Sequence, residues 1–274
     1  MNIESFCTDD IALVLTLAAM EGWVAERWEF EFLLSEFPQG CFTARLENGE
    51  AVGFVTSLRH VQSGWIGNLI VARGQRGRGI GATLFTSALG ALRAAGVGTF
   101  WLTASKSGAP LYEKHGFTEI DRIIRWVGEG RQRYASGNLA GEGSVLDCSK
   151  TDLDLLAWGD RRGVLLAATT GRGRLLHDSS GFIALQPSGA SMQFGPFSAS
   201  DSGGAERLIE AAAYSVARGT KVFVDVPASN RDALRMFSRK KMRLAGSNLL
   251  MYAGKKPHYR PELIYGLATM GSCG

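Results

Sequence analysis

Residues Gln75-Arg-Gly-Arg-Gly-Ile-Gly81 follow an apolar run, Trp65-Ile-Gly-Asn-Leu-Ile-Val71, and carry the clearest chemical signal in the chain. Glycines at alternate positions (Gly77, Gly79, Gly81) leave backbone N–H groups open to close approach by a ligand. Arg76 and Arg78 add positive charge. The apolar positions Ile80, Leu84, Phe85, Ala88, Leu89 and Leu92 then fall on one face of a helix. The first turn of that helix offers unpaired N–H donors and the positive end of its dipole. A strand, a glycine-arginine loop and a helix N-terminus in this order can hold a pyrophosphate. A phosphorylated ligand is therefore expected between residues 65 and 95.

Exclusion narrows the ligand. Gly74 to Gly79 has the spacing of a Walker loop, but Ile80 and Gly81 stand where a lysine and a hydroxyl residue are needed. With nothing to reach a γ-phosphate or magnesium, an NTPase is disfavoured. A dinucleotide fold needs an acid about 20 residues past its glycines. Here Val97-Gly-Thr-Phe-Trp-Leu-Thr103 has none.

Arg76-x-x-Gly79-x-Gly81 after a strand resembles the acyl-CoA pyrophosphate loop of the GNAT-superfamily N-acyltransferases. Roughly 30 residues on, Leu111-Tyr-Glu-Lys-His-Gly-Phe117 resembles the second signature of that superfamily, a helix ending in Tyr-x-x-x-Gly-Phe. The resemblance covers about the first 128 residues. It implies an α/β fold on a mixed sheet in the order β-α-α-β-β-β-α-β-α-β, with acetyl-CoA or another acyl-CoA as co-substrate and no metal. It also implies that the cofactor strand splays from its neighbour, so that the backbone of Leu69, Ile70 and Val71 pairs with pantetheine and the thioester oxygen. Arg76, Gly77, Arg78, Gly79, Ile80 and Gly81 would hold the pyrophosphate, and Tyr112 would protonate the departing sulfur. Gly67 is a candidate bulge site in that strand.

The base is less plain. The cofactor strand offers Asn68 and no carboxylate. Glu21, in the loop between the first two helices, is the best alternative; a solvated helix-end glutamate is the competing reading. His60 ends a strand near the site, and a water relay or an amine arriving neutral would also serve. Trp23 and Trp28 are candidates for an acceptor pocket, or ordinary core. Asp225 faces either a cationic acceptor in a cleft between domains or a turn before Pro227.

The chain has 274 residues, enough for two domains, and at 45% hydrophobic and 20% charged it can bury real cores. A net charge of +4 suits an anionic cofactor, and the scattered arginines give no nucleic-acid face. Arg239-Lys-Lys241 reads as a solvated helix end. Four widely spaced cysteines and four scattered histidines point to reduced thiols in a cytoplasm and to no metal centre. The longest apolar stretch, Ile11 to Met20, is too short to span a bilayer, and acids precede it where a signal peptide would be basic.

Hydrophobic period is lost from Gly128 to about Ser144 and then resumes with landmarks that repeat the first half. Val71, Tyr112 and Phe117 correspond to Phe197, Phe237 and Met242 at a nearly constant offset of about 125 residues. We expect an N-terminal catalytic domain over 1–128, a linker over 129–145 and a degenerate copy over 146–274. In the copy, Ser198-Ala-Ser-Asp-Ser-Gly-Gly204 replaces the arginine loop, and Asp201 would repel a pyrophosphate. Glu21-Gly-Trp23, Gly195-Pro196 and Asp225-Val-Pro227 resemble segments of a bacterial tandem-GNAT subgroup, from which Val24 departs. The expected function is acyl transfer to a small-molecule or peptide amine, with the oligomeric state open. A non-catalytic acyl-CoA-binding sensor is the alternative.

Overall fold

The structure, a computed structural model, describes residues 1–132, 141–143 and 146–274. The central part of the expected linker, 133–140 with 144 and 145, lies outside the described residues.

The first half runs β1 (Asn2–Ser5), α1 (Ile11–Met20), α2 (Arg27–Glu36), β2 (Phe42–Arg45), β3 (Ala51–Arg59), β4 (Ser63–Val71), α3 (Ile80–Ala94), β5 (Thr99–Ala104), α4 (Ala109–Glu113) and β6 (Thr118–Glu129). This is the element order expected from the sequence. The chain enters α1 through a short 3-10 turn over Thr8–Asp10. Asp10 holds that turn, accepting the Cys7 N–H at 3.2 Å and the Thr43 hydroxyl at 2.9 Å, so the helix entry is tied to β2.

The second half runs β7 (Gly141–Gly143), α5 (Cys148–Trp158), α6 (Gly163–Thr170), β8 (Arg174–His177), β9 (Gly181–Ser188), β10 (Ser191–Ala199), α7 (Ser202–Ser215), β11 (Lys221–Pro227), α8 (Arg231–Arg239), β12 (Arg243–Gly254) and β13 (Ile264–Gly266). Among the described residues no helix is long and apolar enough to cross a membrane.

All the described strands join one sheet in the order β1-β2-β3-β4-β5-β12-β6-β11-β10-β9-β8-β7, with β13 paired to β10. This order is close to a palindrome, and its centre is an exchange. The last long strand of the first half, β6, pairs with β11 of the second, and β12 of the second half pairs with β5 of the first. The two exchanged strands pair with each other. Side chains follow their strands. Trp126 of β6 packs with Phe194, Phe197, Leu208 and Phe237, whereas Met251 and Ala253 of β12 pack with Leu84, Phe85 and Phe100. Each core is therefore completed by a strand from the other half of the chain, and apolar burial of this kind is what holds two such layers together.

Candidate active site

β4 pairs with β5 only at Ser63–Trp65, opposite Thr99–Trp101. Beyond Trp65 the two parallel strands part, and among the described residues no other strand pairs with the edge of β4 toward β5. On its other side β4 carries a bulge: Thr56 faces Gly67 and Phe54 faces Ile70, so β4 has one more residue than β3 between those pairs. The extra length falls just after Gly67, at Asn68, whose φ is +52°. Asparagine tolerates that left-handed backbone, and Asn68 Nδ2 fixes it by donating to Thr56 Oγ1 at 3.0 Å. The bulge turns Leu69, Ile70 and Val71 along the wall of a cleft of about 770 Å³.

The glycine-arginine loop closes one end of that cleft. Gly77 and Gly79 have φ of +77° and +81°, which side chains with a Cβ rarely adopt. Gly79 is the N-cap of α3 and among the described residues no side chain caps the helix, so its first N–H groups lack a side-chain acceptor. Arg76 donates through Nε to the Val71 carbonyl at 2.9 Å and reaches Glu21 with Nη2 at 2.8 Å. An uncapped helix start beside two arginines and open glycines fits the pyrophosphate of an acyl-CoA.

Tyr112 also lines the cleft, with its ring edge-on to Phe85 at 5.0 Å. Burial pushes its phenol up to about 12, so it stays protonated over the working range of an enzyme. Glu21 and Trp23 reach the cleft through a helix end. Gly22, at φ +73°, lets the Trp23 N–H bond to the Ala18 carbonyl and the Gly22 N–H to the Ala19 carbonyl, a Schellman stop to α1. Trp23 sits half exposed on the rim. Glu21 does not point at an acceptor alone: Arg73 holds its Oε1 at 2.9 Å and Arg76 holds it at 2.8 Å. Those two guanidiniums keep its carboxyl below the usual carboxylate range.

The remaining candidates sort by their partners. Asp225 is fully buried and taken by Arg125, with Nε and Nη2 each 2.7 Å from a carboxylate oxygen, while Gln193 donates to it at 3.2 Å. It is neutralised and does not face an acceptor. His60 is buried, its ring nitrogens have no hydrogen-bond partner among the described residues, and burial, then Arg162, push it down to about 3. It is neutral and away from the cleft lining. Trp28 lies under Arg172, whose guanidinium carbon is 3.7 Å from the ring centroid, and both donate to Glu26, at 2.9 and 2.8 Å.

Sequence reasoning missed what the second half adds. Arg172, Gln186 and Gln193 and the terminal stretch Ala268 to Ser272 line the cleft, together with Arg125 of the exchanged strand β6. That stretch crosses the first half: Thr103 donates to the Met270 carbonyl at 2.6 Å, and a Cβ on Gly67 would collide with the Ser272 carbonyl. Gly67 is thus needed for a close approach beside the bulge.

The second half has the same parted strands, differently used. β10 pairs with β11 only at Met192 and Gln193. Past that point β13 fills the gap, with Phe197 opposite Gly266 and Ser198 opposite Ile264. A Cβ on Gly195 would collide with the Leu267 carbonyl. The start of α7 is closed as well, because Asp201 accepts the Gly204 N–H at 2.8 Å. A carboxylate of the chain caps α7, at the position where α3 carries no side-chain cap among the described residues.

Comparison with known proteins agrees with this geometry. Residues 13–117 match the model of the acetyltransferase (GNAT) family, and residues 151–266 match a second model described as an acetyltransferase (GNAT) domain. The chain belongs to the GNAT acetyltransferases. It carries two GNAT domains in tandem. A candidate acetyltransferase from Pyrococcus horikoshii superposes with a TM-score of 0.86 at 26% identity, covering 100% of this chain and 95% of that one. A GCN5-related N-acetyltransferase from Sphaerobacter thermophilus shares the fold, with a TM-score of 0.63 at 16% identity over 98% of each chain. One from Anabaena variabilis does so at 0.58 and 11%, over 92% of this chain and 72% of that one. None of the curated proteins matches the chain.

Proposed function

We propose that this GNAT protein moves an acetyl or other short acyl group from acyl-CoA to an amine at a single site in its first half. The observation that carries the reading is the contrast between the two parted strand pairs. In one, β4 and the uncapped start of α3 are open to a ligand beside Arg76 and Arg78. In the other, β13 and Asp201 take those positions. In this reading Leu69, Ile70 and Val71 hold the pantetheine arm and the thioester oxygen, and residues 76–81 hold the pyrophosphate. Backbone N–H groups aimed at the developing oxyanion lower the barrier to attack.

Tyr112 is the general acid. The Tyr112 hydroxyl gives its proton to the leaving sulfur, and its upward-shifted pKa keeps that proton in place until the C–S bond breaks. Trp23 forms the acceptor-side rim. Glu21, the base expected from the sequence, is assigned here to the loop: it holds Arg73 and Arg76 until pyrophosphate takes Arg76 from it. We retain 1–128 and 146–274 as the two units in the chain, with their last long strands exchanged, and place the reaction in a reducing cytoplasm, in keeping with four free cysteines.

The test is release of free thiol from acetyl-CoA across a panel of amines, with Tyr112→Phe beside wild type. Turnover on one class of amine, reduced about 100-fold or more in the variant, supports the reading and names the acceptor. Acetyl-CoA binding with no turnover on any amine would leave a sensor.

A further inference from the structure

Three carboxylates line the cleft: Glu21, Glu26 and Glu29. Two already hold cations. Glu21 bridges Arg73 and Arg76, and Glu26 bridges Arg172 while accepting the Trp28 indole N–H. Among the described residues no cation bridges Glu29. Its position follows from α2. As the third residue of the helix it reaches back to accept the Glu26 N–H at 3.2 Å, closing a capping box, and it lines the cleft. The Ser272 hydroxyl stands beside it, and the Ser272 backbone lies directly on Gly67. Glu29 is thus separated from the bulge of β4, where the acyl group would be held, by a single residue.

We propose that Glu29 is the base of the first-half site, its carboxylate receiving the proton of a primary amine that enters between the two halves as an ammonium ion. The inference rests on the acyl-transfer reading above. Burial pushes the Glu29 carboxyl above its usual range, the direction a base needs to hold a proton near neutrality. Hydrogen bonds from the Ser272 hydroxyl and the Glu26 N–H oppose that rise, as does the charge of Arg172, while the Glu26 carboxylate adds to it; the nearby Cys273 thiol, which burial pushes up to about 11, stays neutral.

The protons balance. The ammonium gives one proton to Glu29, and the freed nitrogen attacks the thioester carbonyl carbon. The C–N bond forms, the C–S bond breaks, and its electron pair leaves with sulfur. Sulfur takes the proton of Tyr112, the second proton of the nitrogen restores the phenol, and Glu29 returns its proton to water. An unpaired carboxylate also selects the acceptor: it attracts a cationic primary amine and repels a substrate that brings its own carboxylate to the same spot.

Glu29→Gln separates this role from helix capping, since glutamine accepts the same N–H in a capping box. We expect unchanged melting temperature and acetyl-CoA affinity, kcat lower by about 100-fold or more at pH 7, and loss of the acidic limb of the kcat/KM profile. Raising the pH, or using an amine of lower pKa, should restore turnover in the variant, because the acceptor then arrives neutral. Glu29→Asp should keep the limb at a displaced pH, and it reads the same property if the glutamine variant folds poorly. Wild-type turnover with Glu29→Gln within threefold of it, acidic limb intact, would overturn the assignment of Glu29 alone. Wild type inactive on every amine overturns the acyl-transfer reading and this inference together.

Discussion

Trp126→Ala tests whether the halves are completed by exchanged strands. Trp126 belongs by sequence to the first half, yet β6 pairs it with Val224 and its ring lies 6.0 Å from Phe237, in the core of the second. Truncating a buried tryptophan costs about 3–5 kcal/mol. Two features of Trp126 place it at the lower end: it is 7% exposed, and its indole N–H has no partner among the described residues, so the mutation also removes an unsatisfied donor. We therefore expect a loss of about 3 kcal/mol, which for a chain of this size is a fall in Tm of about 6–12 °C. Urea unfolding gives the total, and amide hydrogen exchange gives the location. Exchange should quicken first in β10, α7 and α8, which surround the indole, and acetyl-CoA binding at 25 °C should be unchanged. A shift under about 2 °C, or exchange that quickens in α3 and β2 while α7 and α8 stay protected, would refute the exchange.

Two further predictions concern charged groups outside that core. Glu21→Gln frees Arg76 and Arg73 for the pyrophosphate, so acetyl-CoA should bind roughly two- to fivefold tighter, the worth of an exposed ion pair, with kcat within threefold of wild type. A large fall in kcat at unchanged affinity would return the base role to Glu21. His60 titrates near 3 when folded and near 6.5 when unfolded. The unfolded chain therefore binds more protons in that window, and stability falls as pH drops from 6.5 toward 3, by up to about 1.4 kcal/mol per unit from this residue. His60→Leu should flatten the slope between pH 7 and 4.5 in urea titrations; equal slopes in the two proteins would show that His60 does not titrate this way.

The cofactor end was legible because its determinants are local. Gly77 and Gly79, read from the sequence as leaving the backbone open to a ligand, line the cleft, and Ile80, Leu84, Phe85, Ala88, Leu89 and Leu92 are all buried on one face of α3. The order of elements in the first half was implied by the resemblance that these local motifs carry, not by periodicity alone. Partners across the chain were not legible. β6 and β12 are equivalent strands of a repeat, so nothing in their pattern says whether each closes its own half or the other. β13 and the terminal stretch are short and interrupted by glycine, without a period to betray them. Arg125 meets Asp225 across 100 positions, and Glu29 reads in the sequence as one more acid on the polar side of α2. Its neighbour Ser272 is brought to it only by the last turn of the chain.

The central claim, one cofactor site and one closed copy of it, is tested most directly by calorimetric titration of acetyl-CoA into wild type and into Arg76→Ala/Arg78→Ala. We predict one acetyl-CoA bound per chain, with heats lost or affinity reduced at least tenfold in the double variant. Two bound per chain, or one bound with full affinity after the arginines are removed, would contradict it.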